Sequence, residues 1–164
     1  MLVPIQEDKS VGLALGGGGS LGAAHVGVLR ALTEFNITVS AVAGTSIGAF
    51  AAALFAFGCS VQDMETIARD LQWFHVAGLR LSKLGLLNHA KLGAVLKRQV
   101  GDARIEDSPI PLALVTTDIA SGERVVLREG SVSQAVLASS AVPAIFQPVK
   151  ILSLIHISEP TRPY

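Results

Sequence analysis

The chain has 164 residues, half of them hydrophobic and 16% charged, with thirteen basic residues balancing thirteen acidic ones. That length suits one domain, the mean hydropathy of +0.52 excludes intrinsic disorder, and zero net charge removes the basic footprint of a nucleic-acid binder. A lone cysteine, Cys59, excludes an internal disulfide framework and a multi-cysteine metal site.

Membrane insertion is the next class to weigh. The most apolar run, Ile47 to Gly58, falls short of the roughly 20 residues a spanning helix needs. Glu7, Asp8 and Lys9 precede a short apolar run with no cleavage-like site after it, so the N-terminus does not read as a signal peptide. The expectation is a soluble cytoplasmic protein, with peripheral contact at a membrane surface left open.

In chain order, Val11 to Leu15 reads as a strand buried on both faces of a parallel sheet. The run Gly16 to Gly22 follows. From Ala23 the apolar residues Val26, Leu29, Leu32 and Phe35 repeat at helical spacing, and Asn36 is the expected stop. Ile37 to Ala43 is rich in β-branched residues and predicts a second strand, which leads into Gly44-Thr45-Ser46-Ile47-Gly48 and an apolar helix over Ala49 to Phe57 closed by Gly58. Ser60, with Asp63 three residues on, opens a further helix whose apolar face is Met64, Ile67, Ala68 and Leu71.

Trp73 to Leu87 is apolar but irregular and is expected to be a loop with short helical turns. Asn88 caps a helix running through Val100, with Leu92, Val95 and Leu96 inward. Pro111 to Thr117 predicts a third strand, Asp118 to Gly122 a turn, Arg124 to Leu127 a strand pairing back, and Ser131 to Ser139 a short helix. Pro143 and Pro148 mark an extended segment. The composition shifts abruptly at Leu152, and His156 and the only tyrosine follow it. The expected division is therefore an N-terminal segment over 1–10, a partial domain over 11–151, and a non-native tail over 152–164, with the natural gene continuing past Ile151.

Strand, glycine loop, helix, strand, tight turn, helix is a βαβα order, which implies a parallel sheet flanked by helices. Right-handed crossovers put both glycine-rich loops on one sheet edge. Ligands in such folds lie outside the carboxyl ends of the strands, so the two loops should converge on one crevice.

Gly44-Thr45-Ser46-Ile47-Gly48 matches the G-x-S-x-G nucleophile elbow, in which a strained strand-to-helix turn presents a serine hydroxyl at the sheet edge. The helix behind Ser46 aims its positive dipole end at the site and favours developing negative charge. The glycine run admits three readings. Gly17, Gly19 and Gly22 match the dinucleotide pattern G-x-G-x-x-G, but the second strand ends in Ala43-Gly44 with no acidic residue for a ribose. A phosphate loop needs Gly-Lys-Ser/Thr, and Leu21-Gly22-Ala23 stands there instead. Unhindered Gly amides could instead meet an oxyanion, which accounts for both motifs together.

Leu13 through Leu29, with the run Gly16-Gly17-Gly18-Gly19-Ser20-Leu21-Gly22 at its centre, resembles the opening of bacterial patatin-like phospholipases of the neuropathy target esterase type. The elbow at Ser46 matches the same family, as do Thr117-Asp118 with Ser121-Gly122, and Ala138-Ser139-Ser140-Ala141-Val142-Pro143. The resemblance covers about residues 10 to 151. It implies a three-layer α/β fold with a mainly parallel sheet, and a lipid acyl hydrolase using a Ser–Asp dyad without metal or organic cofactor. Ser46 would be the nucleophile, the Gly17, Gly18 and Gly19 amides the oxyanion hole, and Gly22, Gly44 and Gly48 the motif glycines. The substrate would be a lipid or other ester. The family's Asp lies in an Asp-Gly-Gly or Asp-Gly-Ala motif, which these residues lack. The chain is therefore expected to be an inactive fragment with the C-terminal part of the fold missing. A non-catalytic lipid-binding or regulatory protein is the alternative, and a nucleotide-binding module a weaker one.

Leu21 departs from the family, which usually has Arg or Lys there. Asp118 before Ser121-Gly122 reads as a turn former rather than a replacement base, and His25 as a hydrogen-bonded core residue. His75 and His89 form no metal-ligand spacing. Cys59 has no adjacent basic residue and reads as packing. Trp73, Phe74, Leu79, Leu81, Leu84, Leu86 and Leu87 read first as core, with an acyl pocket or bilayer contact as the alternative.

Overall fold

A computed structural model describes residues 11–76, 92–142, 148–151 and 154–158. Strand β1 (Val11–Leu15) leads through a 3-10 turn at Gly19–Gly22 into α1 (Ala23–Glu34), and β2 (Val39–Thr45) leads directly into α2 (Ile47–Ala56). Then come α3 (Val61–Val76), α4 (92–100), β3 (Leu112–Asp118), β4 (Arg124–Leu127), α5 (Val132–Ser139), β5 (Val149–Ile151) and β6 (Leu154–Ile157). The order β1-β2-β3 is parallel, with Val42 to Thr45 of β2 opposite Leu112 to Val115 of β3. Thr117 of β3 pairs antiparallel with both Arg124 of β4 and Ile157 of β6, so those two strands lie on opposite edges of β3. β5 pairs antiparallel with β6.

Why β2 starts two residues later than its β-branched pattern suggests is visible in the end of α1. Asn36 adopts φ 53°, the Ile37 N–H reaches the Leu32 carbonyl at 2.8 Å, and the Asn36 N–H reaches Thr33 at 3.1 Å. This is a Schellman cap, which commits Ile37 to the helix end. The strand then runs two residues further at its other end, so Gly44 and Thr45 are still extended and Ser46 alone makes the turn.

Helix α2 is the centre of the core. Gly48 to Leu54 and Ala56 are buried, and α2 packs against β1, β2 and β3 as well as α1, α3 and α5. Its alanines let the helix approach the sheet closely, while Phe50 and Leu54 supply volume. Truncating a buried leucine such as Leu54 to alanine costs about 2–5 kcal/mol in cores of this kind. Ser60 caps α3, its hydroxyl accepting from the Asp63 N–H at 3.1 Å and donating to the Asp63 carboxylate at 2.6 Å. Leu96 of α4 is buried, with Leu92 and Val95 packed against the core.

Two expectations are corrected. β1 is not buried on both faces: Gly12 and Ala14 are exposed while Val11, Leu13 and Leu15 turn inward to different depths. It is the end strand of the β1-β2-β3 run, and among the described residues nothing covers that face. Trp73 to Val76 continue α3 rather than entering a loop. Leu79, Leu81, Leu84, Leu86, Leu87, Asn88, His89 and Pro143 lie outside the described residues. Residues 154–157, set apart by composition, form β6, where His156 is buried with its Nδ1 3.0 Å from Thr116 Oγ1. Among the described residues no helix is long and apolar enough to cross a membrane.

Candidate active site

Three strand ends meet at the carboxyl edge of the parallel run: Leu15 of β1, Thr45 of β2 and Asp118 of β3. Ser46 stands at the middle one. It is held at φ 54°, ψ −123°, a conformation a side chain seldom adopts, and it immediately precedes α2. Its carbonyl accepts from the Phe50 N–H at 3.2 Å, so the serine already belongs to the helix on one side and to the strand on the other.

The two elbow glycines exist because of crowding. A Cβ on Gly44 would lie 2.3 Å from the Gly48 carbonyl oxygen, and one on Gly48 would lie 2.1 Å from the Leu15 carbonyl oxygen and 2.5 Å from that of Gly16. All three neighbours are backbone, so none can swing away. Strand β2, helix α2 and the end of β1 are thereby locked at closest approach around Ser46. Gly22 fits the same junction from the other loop, since its Cβ would meet Ile47 Cγ1 at 2.3 Å.

The glycine run is thus brought to the serine. A Cβ on Gly17 would sit 3.4 Å from Ser46 Cβ. Gly18 and Gly19 continue the loop at φ 142° and 57°, with Gly18 facing Leu21 and Gly19 facing open space. The loop is fastened from behind by His25, whose Nε2 donates to the Gly16 carbonyl at 2.8 Å. A carbonyl only accepts, so that nitrogen carries the proton. His25 is half-buried rather than a core residue. Leu21 is 75% exposed, its N–H bonded to the Gly18 carbonyl at 3.1 Å.

Behind Ser46 stands a group whose motif the sequence displayed without revealing its contacts. The Ser46 N–H donates to Ser139 Oγ at 2.7 Å, and the Ser139 hydroxyl donates to the Val115 carbonyl at 2.5 Å. Ser139 is completely buried at the end of α5.

Asp118 is at the same sheet edge but its carboxylate is occupied. It accepts from the Ser121 hydroxyl at 2.7 Å, the Ser121 N–H at 3.1 Å and the Ala120 N–H at 3.4 Å. The Ser121 hydroxyl foremost, then the two backbone N–H groups and the charge of His156, hold the carboxyl below the usual aspartate range. Asp118 is therefore the anchor of the β3–β4 turn. Burial, with Asp63 nearby, pushes the Cys59 thiol up, against any nucleophilic use of it. Among the described residues no cluster of three or more His, Cys, Asp or Glu could hold a metal ion. His75 lies on α3.

The arrangement offers a serine on a strained turn, a helix N-terminus behind it carrying roughly half a positive charge, and a glycine loop beside it. Residues 13–157 match the family model described as patatin-like phospholipase. An uncharacterized NTE family protein of Mycobacterium tuberculosis is 33% identical over 147 residues, covering 86% of this chain and 24% of its own length. Neuropathy target esterase sws of Drosophila persimilis is 32% identical over 150 residues, covering 86% of this chain and 10% of its own length. The fold of VipD from Legionella pneumophila superposes with a TM-score of 0.64 at 16% identity, over 93% of this chain and 46% of that one. That of the type III effector protein ExoU superposes at 0.59 and 19% identity, over 83% and 41%. The chain thus spans a minor part of each relative. With both glycine motifs at one sheet edge and the family match running across that whole edge, the chain belongs to the patatin-like phospholipase family.

Proposed function

We propose that the chain carries the nucleophile and oxyanion side of a serine lipid acyl hydrolase, with Ser46 as nucleophile. The observation that carries this reading is Ser46 at φ 54° between β2 and α2, with Gly17 so close that a Cβ added to it would lie 3.4 Å from Ser46 Cβ. In the proposed reaction Ser46 Oγ attacks an ester carbonyl carbon, its proton passes to an aspartate partner, and an acyl-enzyme forms as the alcohol leaves with a proton. The oxyanion of the tetrahedral intermediate is met by the Gly17, Gly18 and Gly19 amides in the positive potential of the α2 N-terminus.

The aspartate of the Ser–Asp dyad is expected in an Asp-Gly motif, and these 164 residues contain none. Neither His25, committed to Gly16, nor Asp118, committed to its turn, substitutes for it. The chain alone is therefore expected to turn over esters far more slowly than a complete enzyme. The substrate is a lipid or other ester, and exposed Leu21 and Ile119, which follow β1 and β3 at the site's edge, support peripheral contact with a lipid surface.

The test is hydrolysis of a short-chain nitrophenyl ester by wild type and Ser46→Ala. Slow hydrolysis lost in the variant supports the reading; equal rates in both reject it. Exposed Leu21 and Ile119 at the site's edge also suit a second reading, a lipid-binding protein without catalysis. It predicts vesicle binding with no turnover dependent on Ser46.

A further inference from the structure

The β2–β3 ladder carries a detail at its last rung. The Val42 N–H donates to the Pro111 carbonyl at 2.9 Å, and Val42 is in register with Leu112. In a parallel ladder the donors of one strand recur every second residue. With the register held to Thr45 opposite Val115, the series that starts at Val42 and Pro111 runs through Gly44 and Ala113 to Ser46 and Val115. At that third rung the direct bond is replaced. The Ser46 N–H goes to Ser139 Oγ, and the Ser139 hydroxyl goes on to the Val115 carbonyl.

We propose that Ser139 is a positioning residue for the nucleophile: its hydroxyl is spliced into the final β2–β3 rung and fixes the Ser46 peptide. The splice has two consequences. It lets β2 part from β3 by the width of one hydroxyl where the chain must turn, and it gives a part-buried donor and acceptor a shared partner. It also ties the elbow to α5, the helix ending in the Ser139-Ser140 pair, so the dihedral angles of Ser46 are set by three elements. The Ser139 hydroxyl is engaged with the Ser46 N–H and the Val115 carbonyl, so it acts through the backbone of Ser46. This inference rests on the proposed role of Ser46 for its functional half, and on geometry alone for its structural half.

The experiment uses the full chain as wild type, Ser139→Ala, Ser139→Cys and, as a control on the same helix, Val136→Ala. Residue-resolved amide hydrogen exchange reads the bond directly. In Ser139→Ala the Ser46 amide should exchange about tenfold faster or more, while amides within α5 keep wild-type protection. Ser139→Cys, with a weaker bond of similar shape, should fall between. Val136→Ala opens a cavity in the core and should not single out Ser46. Unchanged Ser46 exchange in Ser139→Ala, or an increase shared by every amide of the chain, overturns the proposal.

A small fluorophosphonate supplies the functional readout. Ser139→Ala should label at Ser46 about tenfold more slowly or worse, with Ser139→Cys partly restored and Val136→Ala near wild type. Equal labelling of wild type and Ser139→Ala overturns the positioning role. If wild type itself takes no label at Ser46, the proposed function fails, and the exchange measurement still decides whether Ser139 holds the elbow.

Discussion

The elbow and the glycine loop both depend on glycine, for opposite reasons. At Gly44 and Gly48 the space for a side chain is already filled by backbone carbonyls at 2.1–2.5 Å. At Gly16 and Gly19 nothing lies within 4 Å. There a side chain would have room, and at Gly18 and Gly19 glycine permits left-handed backbone. One motif is a packing constraint that fixes a serine; the other keeps a surface open beside it. The two meet at Gly17 and Gly22, which abut Ser46 and Ile47.

Substitution at Gly48 should disturb the junction most. Gly48→Ala must move the end of β1 or unseat α2, and a loss of more than about 3 kcal/mol is expected in urea unfolding. A near-neutral result would show that the junction is not packed as described. Gly22→Ala meets the Ile47 side chain instead of backbone, so relief is partial and about 1–3 kcal/mol is expected. Gly19→Ala has space but must hold φ 57°, costing about 1–2 kcal/mol. Gly16→Ala faces open space and should stay within about 0.5 kcal/mol of wild type.

At the third strand end a charge, that of Asp118, shapes the chain where glycine does so at the other two. Its carboxyl is depressed by the Ser121 hydroxyl and the turn amides, so the folded state binds a proton less readily than the unfolded one. The stabilisation is present above the unfolded value of about 3.9 and is lost as pH falls through the lower folded value. Asp118→Asn should therefore melt below wild type near pH 6, and the gap should close in the acid range below about pH 4. A gap independent of pH would assign the loss to something other than ionisation.

Much of the fold was legible because its punctuation is local. Asn36 and Gly58 end helices through backbone conformations their residue types favour, and Ser60 and Ser131 open them through side-chain caps. The parallel βαβα order followed from those elements. What sequence periodicity concealed was tertiary. The start of β2 slipped because the α1 cap consumed Ile37, and α3 ran on through Val76 where the apolar pattern looked irregular. The exposed face of β1 depended on what covers it rather than on its own apolar composition. At the site, the convergence of Gly17 with Ser46 was readable from two motifs at two strand ends. The bond from Ser46 to Ser139 joins residues 93 apart in the chain. The Ala138-to-Pro143 motif marked that position without saying what its hydroxyl does.

If the elbow presents Ser46 as a nucleophile, covalent labelling should find it there. The chain keeps the strained elbow, the α2 N-terminus and the glycine loop, so reaction at Ser46 should remain measurable, though slow, without an aspartate partner. The full chain is treated with a small fluorophosphonate, and the adduct is located by intact mass and peptide mapping. One adduct is expected, on the peptide containing Ser46 and absent in Ser46→Ala. Adducts spread over several serines, or persisting unchanged in Ser46→Ala, would contradict it.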